Sequence, residues 1–317
     1  MTALERASNM DSPAVWMRAA GQTWLIATGK SSNRLHVYDA ATGAAIRTVG
    51  GAGTTAGGFR RPNGIAVTGD LMLIVERDNA RVQVLRLPAF EPIAIFGEGI
   101  LRRPYGIAVL EHDSTELDVY VTDDYRESLG RTPDDRELGE RVKRFRVSTG
   151  SGRTVAAYLG SFGDTVGNGR LRTVESIAVD AGAGIVLVAD EEARDVKVYR
   201  LNGSFTGRAL WNDILRHEPE GIALYTCGAE GGYWIVADQH RTDNRFLVFD
   251  RRSFEPLGAF TGSTVRNTDG IALIQERVGS MTAGALYAAH NDRGVGAFSW
   301  SDVAAALGLR DDCVTDT

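Results

Sequence analysis

The chain has 317 residues and 43% apolar content, enough for a large core. Its formal net charge of −6 argues against nucleic acid or an anionic membrane surface as the main partner, and no apolar run reaches the ~18 residues of a membrane-spanning helix. Its 37 glycines exceed the ~7% share of an ordinary chain and call for many tight turns. The first ten residues, MTALERASNM, lack the basic-then-apolar layout of a secretory signal. Cys227 and Cys313 fit neither a CxxC nor a zinc-type spacing. Two unpaired thiols are the expectation, one disulfide the alternative.

In chain order the same phrase returns. DSPAVW (11–16) is followed by the apolar run TWLIATG (23–29), the alternating run RLHVYD (34–39) and AAIRTVG (44–50). RPNGIAV (61–67) leads into LMLIVE, RVQVLRL and PIAIFG, ending at residue 97. RPYGIAV (103–109) leads into LDVYVTD (117–123), a polar insertion over 124–140 read as a surface loop, and RVKRFRV (141–147). TVESIAV (173–179) precedes GIVLVAD and DVKVYRL, and EPEGIAL (218–224) precedes GYWIVAD, RFLVFD and PLGAFTG. NTDGIAL (267–273) precedes GALYAAH and GVGAFSW, and residues 301–309 read as a short helix with Ser301 as its N-cap. Alternating runs suit half-buried strands, and continuous apolar runs suit strands covered on both faces.

Six copies of strand–turn–strand–loop–strand, several with a fourth strand, predict an all-β, six-bladed β-propeller in a single domain spanning 1–317. The pattern places two sets of residues in register at one mouth of the channel. The residue before the repeated glycine gives Asp11, Asn63, Tyr105, Glu175, Glu220 and Asp269, with Glu218 two residues upstream of Glu220. The loops after the second strands add GKSS (29–32), ERDN (76–79), DDYR (123–126), DEEAR (190–194), DQHR (238–241) and HNDR (290–293). Clustered carboxylates repel and must take up protons or cations. Oxygen-rich clusters without Cys or paired His suit hard cations, Ca²⁺ above all. Lys30, Arg77, Arg126, Arg194, Arg241 and Arg293 interleave with the acids and suit phosphate. Walker, GxSxG and HExxH patterns are absent.

These words together resemble the β-propeller phytases, the calcium-dependent alkaline phytases of bacteria. DSPAVW is similar to that family's opening segment, and ATGKSSNRLHVYD to its lysine-bearing first hairpin. VESIAVDAGAGIVLVADEEARDVKVYR resembles the blade with two metal-binding glutamates, here Glu175 and Glu191. The likeness continues through EPEGIAL, NTDGIAL and the closing AAHNDRGVGAFSW. The resemblance implies Ca²⁺ held by Asp11, Glu175, Glu191, Glu218, Glu220, Gln239 and Asp269. It implies Lys30 and Arg77 on substrate phosphate, with Tyr105 beside the site, so that Lys30, Arg77, Glu191 and Tyr105 carry catalysis. Ser12, Asn63 and Asp124 depart from the family pattern. Asp124 stands where a phosphate-binding lysine is expected, and Arg126 is a substitute for it.

The activity so implied is a 3-phytase-type phosphomonoester hydrolase, using metal-activated water on myo-inositol hexakisphosphate or a related phosphorylated small molecule. The resemblance also implies an extracellular or periplasmic monomer with no nucleic-acid or membrane partner. Two alternatives stay open. One is a non-catalytic ligand- or protein-binding propeller. The other is a metal-dependent lactonase of the gluconolactonase type, for which Asn63 and Asp269 are partly the right residues.

Overall fold

A computed structural model describes residues 1–5, 7–18, 22–127 and 130–313. Its strands fall into six antiparallel meanders, the blades of a six-bladed β-propeller. The first holds β1 (Met10–Arg18), β2 (Gln22–Gly29), β3 (Arg34–Asp39) and β4 (Ala45–Val49). The second holds β5 (Pro62–Thr68), β6 (Leu71–Glu76), β7 (Arg81–Arg86) and β8 (Glu91–Phe96). The third holds β9 (Pro104–Asp113), β10 (Glu116–Asp123), β11 (Val142–Ser148) and β12 (Val155–Phe162). The fourth holds β13 (Ile177–Asp180), β14 (Ile185–Asp190), β15 (Asp195–Arg200) and β16 (Phe205–Leu210). The fifth holds β17 (Glu218–Cys227), β18 (Gly231–Gln239), β19 (Arg245–Asp250) and β20 (Pro256–Phe260). The sixth has three strands, β21 (Ile271–Ile274), β22 (Ala285–His290) and β23 (Gly294–Ser299), and is followed by helix α1 (Trp300–Leu307).

Residue contacts divide the chain into two compact units. One comprises Met1–Val49 and Glu220–Thr317, the other Gly50–Pro219. In each unit the second strands are the most apolar and the most deeply covered, because both of their faces meet neighbouring sheets. Leu73, Val75, Val119 and Val121 share one core in the second unit, and Val186, Val188, Tyr120 and Tyr199 share another. In the first unit Tyr225, Ile235, Phe246 and Leu286 pack with Trp300 and Val303 of α1. The outermost strands are mostly exposed, as in β4.

The repeated glycine has a steric cause. A Cβ on Gly106 would lie 1.9 Å from the carbonyl oxygen of Glu175, and one on Gly64 would lie 2.5 Å from that of Tyr105. In the first unit, Gly270 meets Ser12 Cα at 2.9 Å. Opener strands of successive blades approach backbone to backbone, so only a residue without a side chain fits. Threonine hydroxyls seal this approach. Thr122 Oγ1 accepts from Gly106 N at 2.7 Å and donates to Glu175 O at 3.1 Å.

Four features differ from the sequence reading. Cys227 and Cys313 form a disulfide rather than two free thiols, tying the segment after α1 to β17. Helix α1 starts at Trp300, with Ser299 rather than Ser301 at the cap position. Residues 124–140 are not a plain surface loop. Asp124 and Tyr125 are buried and Asp135–Glu140 form a 3-10 turn, while 128–129 lie outside the described residues. The N-terminal segment, assigned no role by pattern, runs along β23. Thr2 N–H donates to Val295 O at 2.9 Å, and Val295 N–H returns to Thr2 Oγ1 at 2.9 Å. This segment occupies the edge where other blades have a fourth strand.

Candidate metal centre

The acids that end the second strands have structural partners. Asp123 accepts from Arg103 N at 2.7 Å and Arg102 N at 3.1 Å, and Asp190 from Arg172 N at 2.8 Å and Thr173 N at 3.2 Å. Glu76 accepts from Arg60 N at 3.0 Å and pairs with Arg81 at 2.7 Å. Each carboxylate holds the loop that enters its own blade's first strand, so Glu76, Asp123 and Asp190 are fully buried staples. The residues that follow, Arg77, Asp124 and Glu191, are thereby set in register.

In the second unit these staples gather one acidic cluster. Glu191 follows Asp190, and its N–H donates to Thr173 O at 3.0 Å. Its Oε1 is buried and accepts no hydrogen bond. Burial, then the charges of Glu175, Asp124 and Glu218, push the Glu191 carboxyl well above the usual carboxylate range, against the pull of Arg126. Single carboxylate oxygens of Glu175 and Glu191 lie within 4.8 Å of one another. Glu218, which opens β17, is exposed, and Glu220 of the first unit is buried.

Asp124 is the second element of this site. It is buried, pairs with Arg126 at 2.7 Å, and lies 3.6 Å from Arg103 and 3.7 Å from Arg141. Burial still raises its carboxyl above the ordinary value. Arg126 also donates to Thr132 Oγ1 at 3.0 Å and Thr173 Oγ1 at 3.3 Å, which fixes its guanidinium. Arg77 pairs with Asp78 at 2.8 Å. Arg77 and Arg126 line one cleft. Tyr105 is half-buried on β9, and Asn63 is buried on β5.

The first unit brings together Asp11, Lys30, Gln239 and Asp269. Lys30 Nζ meets Asp11 Oδ1 at 2.7 Å with both side chains buried. Gln239 Nε2 donates to Asp269 Oδ1. Burial pushes the Asp269 carboxyl well above its ordinary value; Lys30 opposes this, and Asp11 and Asp292 add to it. Lys30 supplies one positive charge here against the carboxylates of Asp11 and Asp269, and Asp269 Oδ2 stays buried without a hydrogen bond. The Glu175–Glu191 set also has an orphaned buried oxygen, and with only carboxylate donors and no lysine among them it fits a hard divalent cation better.

Sequence reasoning missed Arg60, Arg102 and Arg103 beside this site. Their signal was the RR pairs before each RP opener, at 60–61 and 102–103.

No protein-family profile matches the chain, and no curated protein matches it. Among solved structures, a chain in the crystal structure of a nidogen/laminin complex is similar at 14% identity and a TM-score of 0.56. The match covers 86% of this chain and 88% of that one. At that identity the likeness speaks for the propeller fold alone.

Proposed function

We propose that the chain is a calcium-dependent phosphomonoesterase of small phosphorylated molecules, with phytate-like compounds as its substrate class. The observation that carries this reading is the buried Glu191 Oε1, unbonded among clustered carboxylates and next to the Asp124–Arg126 pair. The sequence resemblance to the β-propeller phytases supports it. Glu175 and Glu191 would hold the cation, with Glu218 at the rim. A bound Ca²⁺ would supply charge neutralisation on phosphate and a more acidic water.

The chain's own residues do the rest. Without the cation, burial and the neighbouring acids favour the protonated form of the Glu191 carboxyl. Arg126, fixed by Asp124 and two threonines, and Arg77 present guanidinium forks to phosphate oxygens. Water adds to phosphorus, the ester P–O bond breaks, and the alcohol leaves with a proton. In the first unit Lys30 neutralises Asp11, and Gln239 donates to Asp269. The disulfide suits an oxidising compartment, in keeping with an extracellular or periplasmic protein. Among the described residues no helix is long and apolar enough to cross a membrane.

The test is phosphate release from myo-inositol hexakisphosphate at mildly alkaline pH, with Ca²⁺ and then with chelator. Calcium-dependent release, lost in Glu191→Gln, is expected. Release that survives chelation would remove the metal mechanism. One observation favours a binding propeller instead: Lys30 is committed to Asp11, and Asp124 holds the place of the expected lysine. That reading predicts a calcium-induced rise in Tm with no release.

A further inference from the structure

The loops that enter the second and third blades, and those that follow their second strands, converge on a cleft of about 570 Å³. Arg60, Arg77, Arg102, Arg103 and Arg126 line it. Asp78 is the acid in its wall. Three carboxylates lie within ion-pair distance of these five guanidiniums. They are Asp78 on Arg77, Asp124 on Arg126 and Arg103, and Glu140 on Arg102. Asp124 is shared again with the buried Arg141. Two positive charges therefore stand uncompensated, and Arg60 has no ion-pair partner among the described residues.

A solvated basic face would hold such arginines loosely. Here Arg102 lies over the Tyr125 ring with its guanidinium carbon 3.4 Å from the centroid, and Arg141 lies 4.5 Å from the same ring. Tyr125 is buried, so this stack fixes Arg102 before any ligand arrives. Arg126 is fixed by its own hydrogen bonds. Like charges held rigidly in one concavity repel, and an anion relieves that repulsion. The volume falls within the ~300–1,000 Å³ of small-molecule sites, more space than one phosphate group fills.

We propose that this cleft binds a small ligand bearing two or more phosphate-type groups, with Arg60, Arg102 and Arg103 reading the groups that Arg77 and Arg126 do not. The assignment rests on the reading above only in naming the ligand as phosphorylated. Binding in the cleft itself needs no cation.

The experiment is calorimetric titration in chelator, at fixed ionic strength, with tripolyphosphate, myo-inositol hexakisphosphate and orthophosphate. At least one multivalent probe should bind about tenfold or more tightly than orthophosphate, which is ~1.4 kcal/mol. Whichever of the two binds tighter tells a linear polyphosphate from a phosphorylated ring. Arg60→Gln combined with Arg102→Gln should lose about tenfold in Kd and weaken the salt dependence, while Arg136→Gln, outside this cleft, should leave both unchanged. Arg60→Gln alone, at an exposed and unpaired position, should lose part of the affinity with no change in Tm. Equal affinity for the three probes, or binding indifferent to these substitutions, would overturn the assignment. Binding as expected, with no phosphate release once Ca²⁺ is restored, would sink the phosphomonoesterase and leave the cleft standing.

Discussion

The two units use the same phrase for opposite electrostatic ends. In the first, Asp11 at the start of β1 is met by the buried Lys30 at 2.7 Å, and Asp269 Oδ2 is the buried oxygen left unbonded. In the second, the positive charge of Arg126 goes to Asp124, and Glu191 is left among acids with a buried oxygen unbonded. The difference lies in the residue after each second strand. Gly29 ends β2 and Lys30 follows it, whereas Asp190 ends β14 and Glu191 follows it. A propeller repeats its backbone, and each blade's loop then decides whether the mouth is satisfied internally or offers oxygens to a ligand.

Breaking the backbone contact should give the largest effect. Gly106→Ala places a methyl 1.9 Å from Glu175 O, where the neighbour is backbone and cannot turn aside. A loss beyond about 5 kcal/mol in denaturant unfolding is expected. Gly270→Ala, at 2.9 Å from Ser12 Cα, should cost about 1–3 kcal/mol. Equal losses would show that the backbone beside Gly106 yields as readily as that beside Gly270.

The ion pair comes next. Lys30→Met leaves Asp11 buried without its cation and should cost about 3–5 kcal/mol. Adding Asp11→Asn should restore most of that. A single variant as stable as wild type would mean that solvent reaches the pair.

The smallest effect is a matter of pH. His36 lies between Ser8 Oγ, at 2.6 Å, and Ser32 Oγ, at 3.2 Å, on β3 of the first unit. Burial chiefly lowers its pKa from the ordinary 6.5, with Glu5 opposing. A histidine lowered on folding contributes stability that is complete above its unfolded value and is lost as pH falls through the folded one. Wild type should therefore lose more Tm than His36→Gln between neutral pH and about pH 5. Parallel curves would show that His36 keeps its ordinary value.

The fold was legible because propeller blades are local. The continuous apolar runs such as LMLIVE and GIVLVAD, and the alternating runs after them, mark second and third strands without knowledge of neighbours. The acids of the openers were legible by register alone. What each acid touches was not. DEEAR and DDYR look alike in sequence. Yet Asp190 and Asp123 turn back to hold loop amides, whereas Glu191 is left without a donor on its buried Oε1.

The sequence by itself determined the six meanders, the glycines between openers and the stock of acids and arginines, because strand period and turn chemistry are local properties. Only the tertiary structure decided the partners. It joined Cys227 to Cys313 across 86 residues, laid the N-terminal segment along β23, gave Lys30 to Asp11, and brought Arg60 beside Arg102. Those outcomes depend on which loops meet and how well water is excluded where they do. A repeat fixes that for the backbone and leaves it open for every side chain.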